Sequence, residues 1–107
     1  MAFTAEISQS SQKKIREVIR SAKIWRYTQI EISDIANDFN PKIRGWINYY
    51  GIYSKRSLRR VMMRIELKLM QWISKKYKIG YRKTVKKLAL IKQENPKLFY
   101  HWQIGYC

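Results

Sequence analysis

Lysine and arginine, 23 residues against seven aspartates and glutamates, are the chemically active side chains that dominate this chain. They supply charge, and little beside them could supply catalysis. Acid–base or nucleophilic chemistry needs several polar groups converging on one point. The lone histidine, His101, and the lone cysteine, Cys107, cannot complete a metal site between them. His101, next to Trp102, is expected to be a packed or exposed ring rather than a ligand. Asp34 and Asp38 stand one helical turn apart and could in principle share a cation, but such a pair usually marks a solvated face. No two aspartates are adjacent, so the paired carboxylates of a two-metal polymerase are absent. No GxxxxGK[ST] loop is present to cradle a nucleotide phosphate. The residues predict a binder with no catalytic group, no metal and no cofactor.

The distribution of charge sharpens this expectation. The formal net charge is +16, of which residues 1–38 contribute only +1 and residues 39–107 contribute +15. Surfaces built only for solubility mix the two signs. A dense field of one sign points to a polyanion, most often nucleic acid. The basic positions cluster at Arg59, Arg60, Arg64 and Lys68, continue at Lys75 and Lys76, and begin upstream at Lys55 and Arg56. Arginines one helical turn apart can track successive phosphates. A further run holds Arg82, Lys83, Lys86 and Lys87. Tyr49, Tyr53, Tyr77 and Tyr81 are interleaved with these cations and could stack on unpaired bases, although each could equally be buried with its hydroxyl bonded. Cations and aromatics are spread along the whole chain rather than along one amphipathic helix, which argues against a membrane surface. There is no signal-peptide pattern and no 18-residue apolar stretch.

Helices must position these side chains, because no segment alternates in the manner of a strand. A first helix follows Ser8, Ser10 and Ser11, any of which could cap it, with Ile15, Val18, Ile19 and Ala22 as its apolar stripe. A short second helix begins at Ser33 and buries Ile35, Ala36 and Phe39. It should stop before Asn40, which precedes Pro41 and is therefore biased away from the helical region. Asn40 then caps a third helix with Pro41 in its first turn. That helix packs Ile43, Trp46, Ile47 and Tyr50, and displays Lys42, Gly45, Asn48 and Tyr49 on a second face. A glycine inside a helix costs about 1 kcal/mol relative to alanine, so Gly45 suggests a close neighbour that leaves no space for a Cβ. The fourth helix runs from about Leu58 to Tyr77, with Ser57 as a possible cap and Gly80 ending the stretch. The fifth, about Tyr81 to Glu94, uses Val85, Leu88, Ala89 and the stem of Lys92 as its inner face. Residues 95–107 read as a short aromatic tail. The fold class is a small all-α bundle of about five helices with no sheet, divided into a helical domain over 1–78 and a basic extension over 79–107.

The stretch "FNPKIRGWINYY", Phe39 to Tyr50, resembles the signature of the maturase-specific domain, also called domain X or thumb, of group II intron-encoded proteins. An LNP-x-[IL]-RGW-x-NYY pattern characterises that family, and Asn40, Pro41, Arg44, Gly45, Trp46, Asn48, Tyr49 and Tyr50 match it. The upstream "FTAEISQSSQKKIREVIR" is similar to the start and first helix of the same domain, and "LFYHW" at 98–102 to the ending of bacterial members without an endonuclease module. The stretch after about residue 78 resembles the adjoining basic DNA-binding region. Full-length members are RNA-directed DNA polymerases that also bind their own intron RNA and stabilise its spliceable fold. The resemblance therefore implies group II intron RNA as partner, and with it a DNA target or RNA/DNA template–primer and the palm and fingers of a parent reverse transcriptase. It implies an intracellular location, bacterial cytoplasm or an organelle. The fingers and palm, with their Tyr-x-Asp-Asp site, are missing, so the chain is expected to be a truncated frame or an excised domain without polymerase activity. Expected RNA contacts are Lys42, Arg44, Asn48 and Tyr49 together with the basic positions named above. Two alternatives stand beside this expectation: a folded remnant without a role, or a small DNA-binding protein with a helix-turn-helix at the Phe39–Pro41 corner.

Overall fold

A computed structural model describes residues 9–51 and 55–104, so Ser8, Tyr53 and Cys107 lie outside the described residues. The described chain is helical throughout its ordered elements and holds no strand. The helices are α1 (Gln9–Ser21), α2 (Ile32–Tyr50), α3 (Lys55–Tyr77), α4 (Tyr81–Glu94) and α5 (Tyr100–Gln103), with a 3-10 turn at Lys23–Arg26 after α1. The all-α fold expected from the sequence is present, and so is the number of helices, but two of them differ in identity.

Helix α3 is the axis of the bundle. Its stripe of Leu58, Val61, Met62, Ile65, Leu69, Trp72 and Ile73 is buried, and α1, the 3-10 turn and α4 pack around it. At about 1.5 Å per residue its 23 residues span roughly 35 Å. It starts earlier than expected, at Lys55, and Ser57 is a buried helical residue rather than a cap. Helix α1 delivers Ile15 and Ile19 to the core, whereas Val18 is 41% exposed. Ser10 and Ser11 lie inside α1 and are not its cap.

The corner expected at Asn40–Pro41 does not exist. Helix α2 runs unbroken through Pro41. A helical proline forfeits one backbone bond and crowds the carbonyl four residues back. Here that carbonyl belongs to exposed Asn37, and Pro41 itself is exposed, so water can satisfy what the helix cannot. Buried Phe39 and Ile43 on either side hold both halves against one core, and tertiary packing overrides the local preference of Asn40. With the corner gone, the geometric ground for a helix-turn-helix disappears. Asn40 does not cap a helix; its side-chain amide donates to the Leu98 carbonyl at 3.0 Å and accepts from the Tyr100 N–H at 2.9 Å. The start of α2 also differs: the N-cap is Glu31, not Ser33, and the Asp34 carboxylate accepts the Glu31 N–H at 2.9 Å. Of the stripe that follows Pro41, Ile43 is fully buried, while Trp46, Ile47 and Tyr50 are half-buried against the core.

The supposed tail is part of the core. Phe99 and His101 are 0% exposed, Trp102 is buried, and α5 docks on α2. The inner face of α4 is turned by one position: Thr84 and Leu88 are buried and Ile91 packs beside them, while Val85 and Ala89 are exposed. Thr84 can take a core position because its hydroxyl donates to the Gly80 carbonyl at 2.9 Å. Between α3 and α4 the left-handed residue is Lys78, with φ 53°, rather than Gly80. The Ile79 N–H reaches back to the Ser74 carbonyl at 3.2 Å, the pattern of a Schellman ending.

Candidate nucleic-acid interface

Along α3 the cations sort into faces. Arg56, Arg60, Arg64 and Lys68 follow one another at four-residue steps, and Gln71 and Lys75 continue the row. Of these, Arg64, Lys68, Gln71 and Lys75 line the flank that faces α1. Arg59 does not: at 3.6 residues per turn it points about 140° away from Arg64. Arg59 and Arg64 therefore lie on different faces of α3.

The α1 flank is hollowed into a groove. One stretch, about 460 Å³, is lined by Lys13, Arg16 and Arg20 of α1 facing Arg64 and Lys68 of α3. A second, about 770 Å³, continues from the shared residues Arg20, Leu67, Lys68 and Gln71 to Arg26, Lys75 and Tyr81. Trp25, Met70 and Trp72 contribute apolar surface to the second stretch. Among the described residues, Glu17 is the one acid along either stretch, and it pairs with Arg20 at 2.7 Å. Lys13, Arg16, Arg20 and Arg26 are absent from the sequence-derived set because residues 1–38 are nearly neutral in sum. The balancing acids Glu31, Asp34 and Asp38 sit at or on α2, away from the cations of α1, of which Arg20 pairs with Glu17. The signal was legible in the spacing of Lys13, Arg16 and Arg20, but not in a charge total.

Other expected contact residues divide. Arg44 and Asn48 share a second, shallower groove of about 590 Å³ between α2 and α5, with Asn37, Pro41 and Gly45 beside them. No described residue approaches Gly45: a Cβ there would meet nothing within 4 Å. The close neighbour expected at that glycine is therefore not supplied by the fold. Tyr49 is 65% exposed and its ring meets Tyr50 edge-on at 4.7 Å. Lys42 points away from this groove, pairs with Asp38 at 3.4 Å and lies over the Phe39 ring. Asp38 and Asp34 thus have structural partners, and no cluster of metal-ligating side chains occurs among the described residues. Lys55, Arg82, Lys83 and Lys86 are exposed outside the grooves, and Lys87 places its ammonium 4.0 Å from the centre of the Tyr77 ring.

Lys76 serves the fold. Its ammonium donates to the carbonyls of Thr28 and Ile30, both at 2.7 Å, while the Trp72 indole N–H donates to the Tyr27 carbonyl at 2.8 Å. These bonds tie the loop before α2 to α3. A polar cluster lies at the junction of α3, α4 and α5. Glu66 is 5% exposed, ion-paired to Lys92, and accepts the Trp102 indole N–H at 3.1 Å. His101 Nε2 is 3.9 Å from its other oxygen, too far for a hydrogen bond, and both ring nitrogens of His101 lack a hydrogen-bond partner. Burial works against ionisation of Glu66, but Lys92 and His101 outweigh it and hold its carboxyl below the ordinary range.

The described residues form an all-helical bundle with a cationic groove. The sequence profile described as group II intron, maturase-specific domain, matches residues 8–90. The chain belongs to that family, whose domain is a non-catalytic part of its parent reverse transcriptases. The match extends past residue 78 into α4 but stops short of α5. No curated protein and no solved structure matches the chain significantly. No described helix is long and apolar enough to cross a membrane.

Proposed function

We propose that this chain is an RNA-binding domain that holds group II intron RNA and so assists its splicing, working by position and charge neutralisation. Joined to a palm and fingers, it would also grip template–primer. The observation that carries this is the groove between α1 and α3, cationic on both walls, on a member of a maturase domain family. Each Lys or Arg that meets a phosphate releases condensed counterions, so binding should weaken steeply with salt. The α2–α5 groove offers different chemistry: amide and guanidinium groups beside a glycine suit the wide minor groove of A-form RNA with its 2′-hydroxyls.

Fluorescence anisotropy with structured intron RNA and with duplex DNA of equal length tests the proposal. Tighter binding to intron RNA at equal salt is expected. Equal affinity for the two removes the case for a maturase role and leaves a general polyanion binder. Primer extension by the chain alone is expected to yield no cDNA.

A further inference from the structure

We infer that the wider part of the α1–α3 groove takes an unpaired stretch of RNA, with one base stacked on Tyr81. This rests on the RNA-binding reading and adds which form of RNA the groove selects. A duplex presents phosphates and base edges and keeps its base faces inside. It has nothing to place against an apolar floor. Unpaired nucleotides have both: phosphates for cations and π-faces for aromatic side chains. The groove matches the second case. Its rim carries Arg26, Lys68 and Lys75, and its described lining residues include no acid. Trp25 and Met70 line it with apolar surface, and the Gln71 amide offers a donor and an acceptor for a base edge. Tyr81 stands at its mouth with 74% of its surface exposed, the most exposed large aromatic or aliphatic side chain among the described residues. Tyr77, the neighbouring candidate, already has the Lys87 ammonium over its ring. Tyr81 is the first residue of α4 and belongs to no core contact, so its removal leaves the fold in place.

Three probes separate the outcomes: a single-stranded oligouridylate, a blunt-ended RNA duplex of equal charge closed as a hairpin by a non-nucleotide linker, and an acidic amphipathic peptide. Each is titrated against the full chain and its Tyr81→Ala and Tyr81→Phe variants. Base–aromatic stacking of about 1–3 kcal/mol predicts that Tyr81→Ala weakens oligouridylate binding about tenfold, leaves hairpin binding within twofold, and that Tyr81→Phe restores the loss. Tryptophan emission should change on oligouridylate binding, because Trp25 and Trp72 line the groove. Equal losses for oligouridylate and hairpin, or no loss for either, overturn this inference while leaving RNA binding intact. Displacement of oligouridylate by the peptide at equal concentration overturns it in favour of a protein partner. Failure to bind any RNA overturns both this inference and the function on which it rests.

Discussion

A carboxylate that is 5% exposed must be held by its neighbours, and Glu66 is held by two, Lys92 from α4 and Trp102 from α5, with the His101 ring 3.9 Å from its other oxygen. Removing one member of a buried pair strands the others. Glu66→Ala should lower stability by about 3 kcal/mol at pH 7, measured by urea denaturation. The sign with pH follows from the direction of its shift. The carboxyl is held below its ordinary value of 4.5, so its contribution is present at neutral pH and is lost as pH falls through the folded-state value. The stability advantage over Glu66→Gln should therefore be constant above pH 5 and shrink below 4.5; an advantage unchanged down to pH 3 would contradict an ionised Glu66. Lys76 makes a comparable case on the surface. Lys76→Ala should cost about 1–2 kcal/mol through the Thr28 and Ile30 carbonyls it releases, without lowering RNA affinity. A fall in affinity at unchanged stability would return Lys76 to the contact surface.

At the scale of the element, α2 concentrates what the sequence concealed. Proline and the residue before it are strong local punctuation, and a break was the natural expectation. The deciding facts are non-local: Phe39 and Ile43 bury into one core on either side of an exposed Pro41, and Asn40 is bonded to residues 58 and 60 positions away. No window of neighbouring residues contains that information. The stripe of α3, by contrast, was legible almost residue by residue, because seven buried apolar positions over four turns leave only one way to face the core. Helix α5 was illegible for the opposite reason: four residues are too few to show a period. In α4, threonine and valine occupy adjacent positions and are nearly the same shape, so the choice of face turned on a hydroxyl bond that cannot be read in advance. Gly45 provides the test of this element. With no neighbour to clash, Gly45→Ala should raise stability by about 0.5–1 kcal/mol, seen as a higher Tm. Loss of RNA affinity in the stabilised variant would place the RNA backbone against that helix face.

The whole molecule presents two walls of like charge to one groove, and that arrangement sets what mutagenesis should find. Neutralising Arg64 and Lys68 together should reduce the slope of log affinity against log salt by between one and two units, because each lost phosphate contact contributes about 0.7–0.9. Arg59→Ala, turned to the other flank, should leave the slope nearly unchanged. Equal effects at both places would mean that binding follows net charge and not the groove. The candidate surface was half legible from sequence. The row on α3 was visible as a run of cations, but its partner row on α1 was hidden by acids that are near in sequence and distant in function. At the same scale, a chain ending at Glu94 would lose Phe99, His101 and Trp102 from the core. Such a deletion should abolish cooperative thermal unfolding, since truncating a single buried Phe or Trp to Ala already costs about 3–5 kcal/mol.

The amide clamp of Asn40 on Leu98 and Tyr100 has a consequence for how the chain is made. Of the described core, residues 98–102 are synthesised last, and until they dock the bundle keeps a hole where Phe99 and Trp102 belong and Glu66 lacks its indole donor. Among the described elements, this turn is the closing piece. A purified chain ending at residue 95 should be cut readily by proteases, and one extended through residue 104 should be resistant.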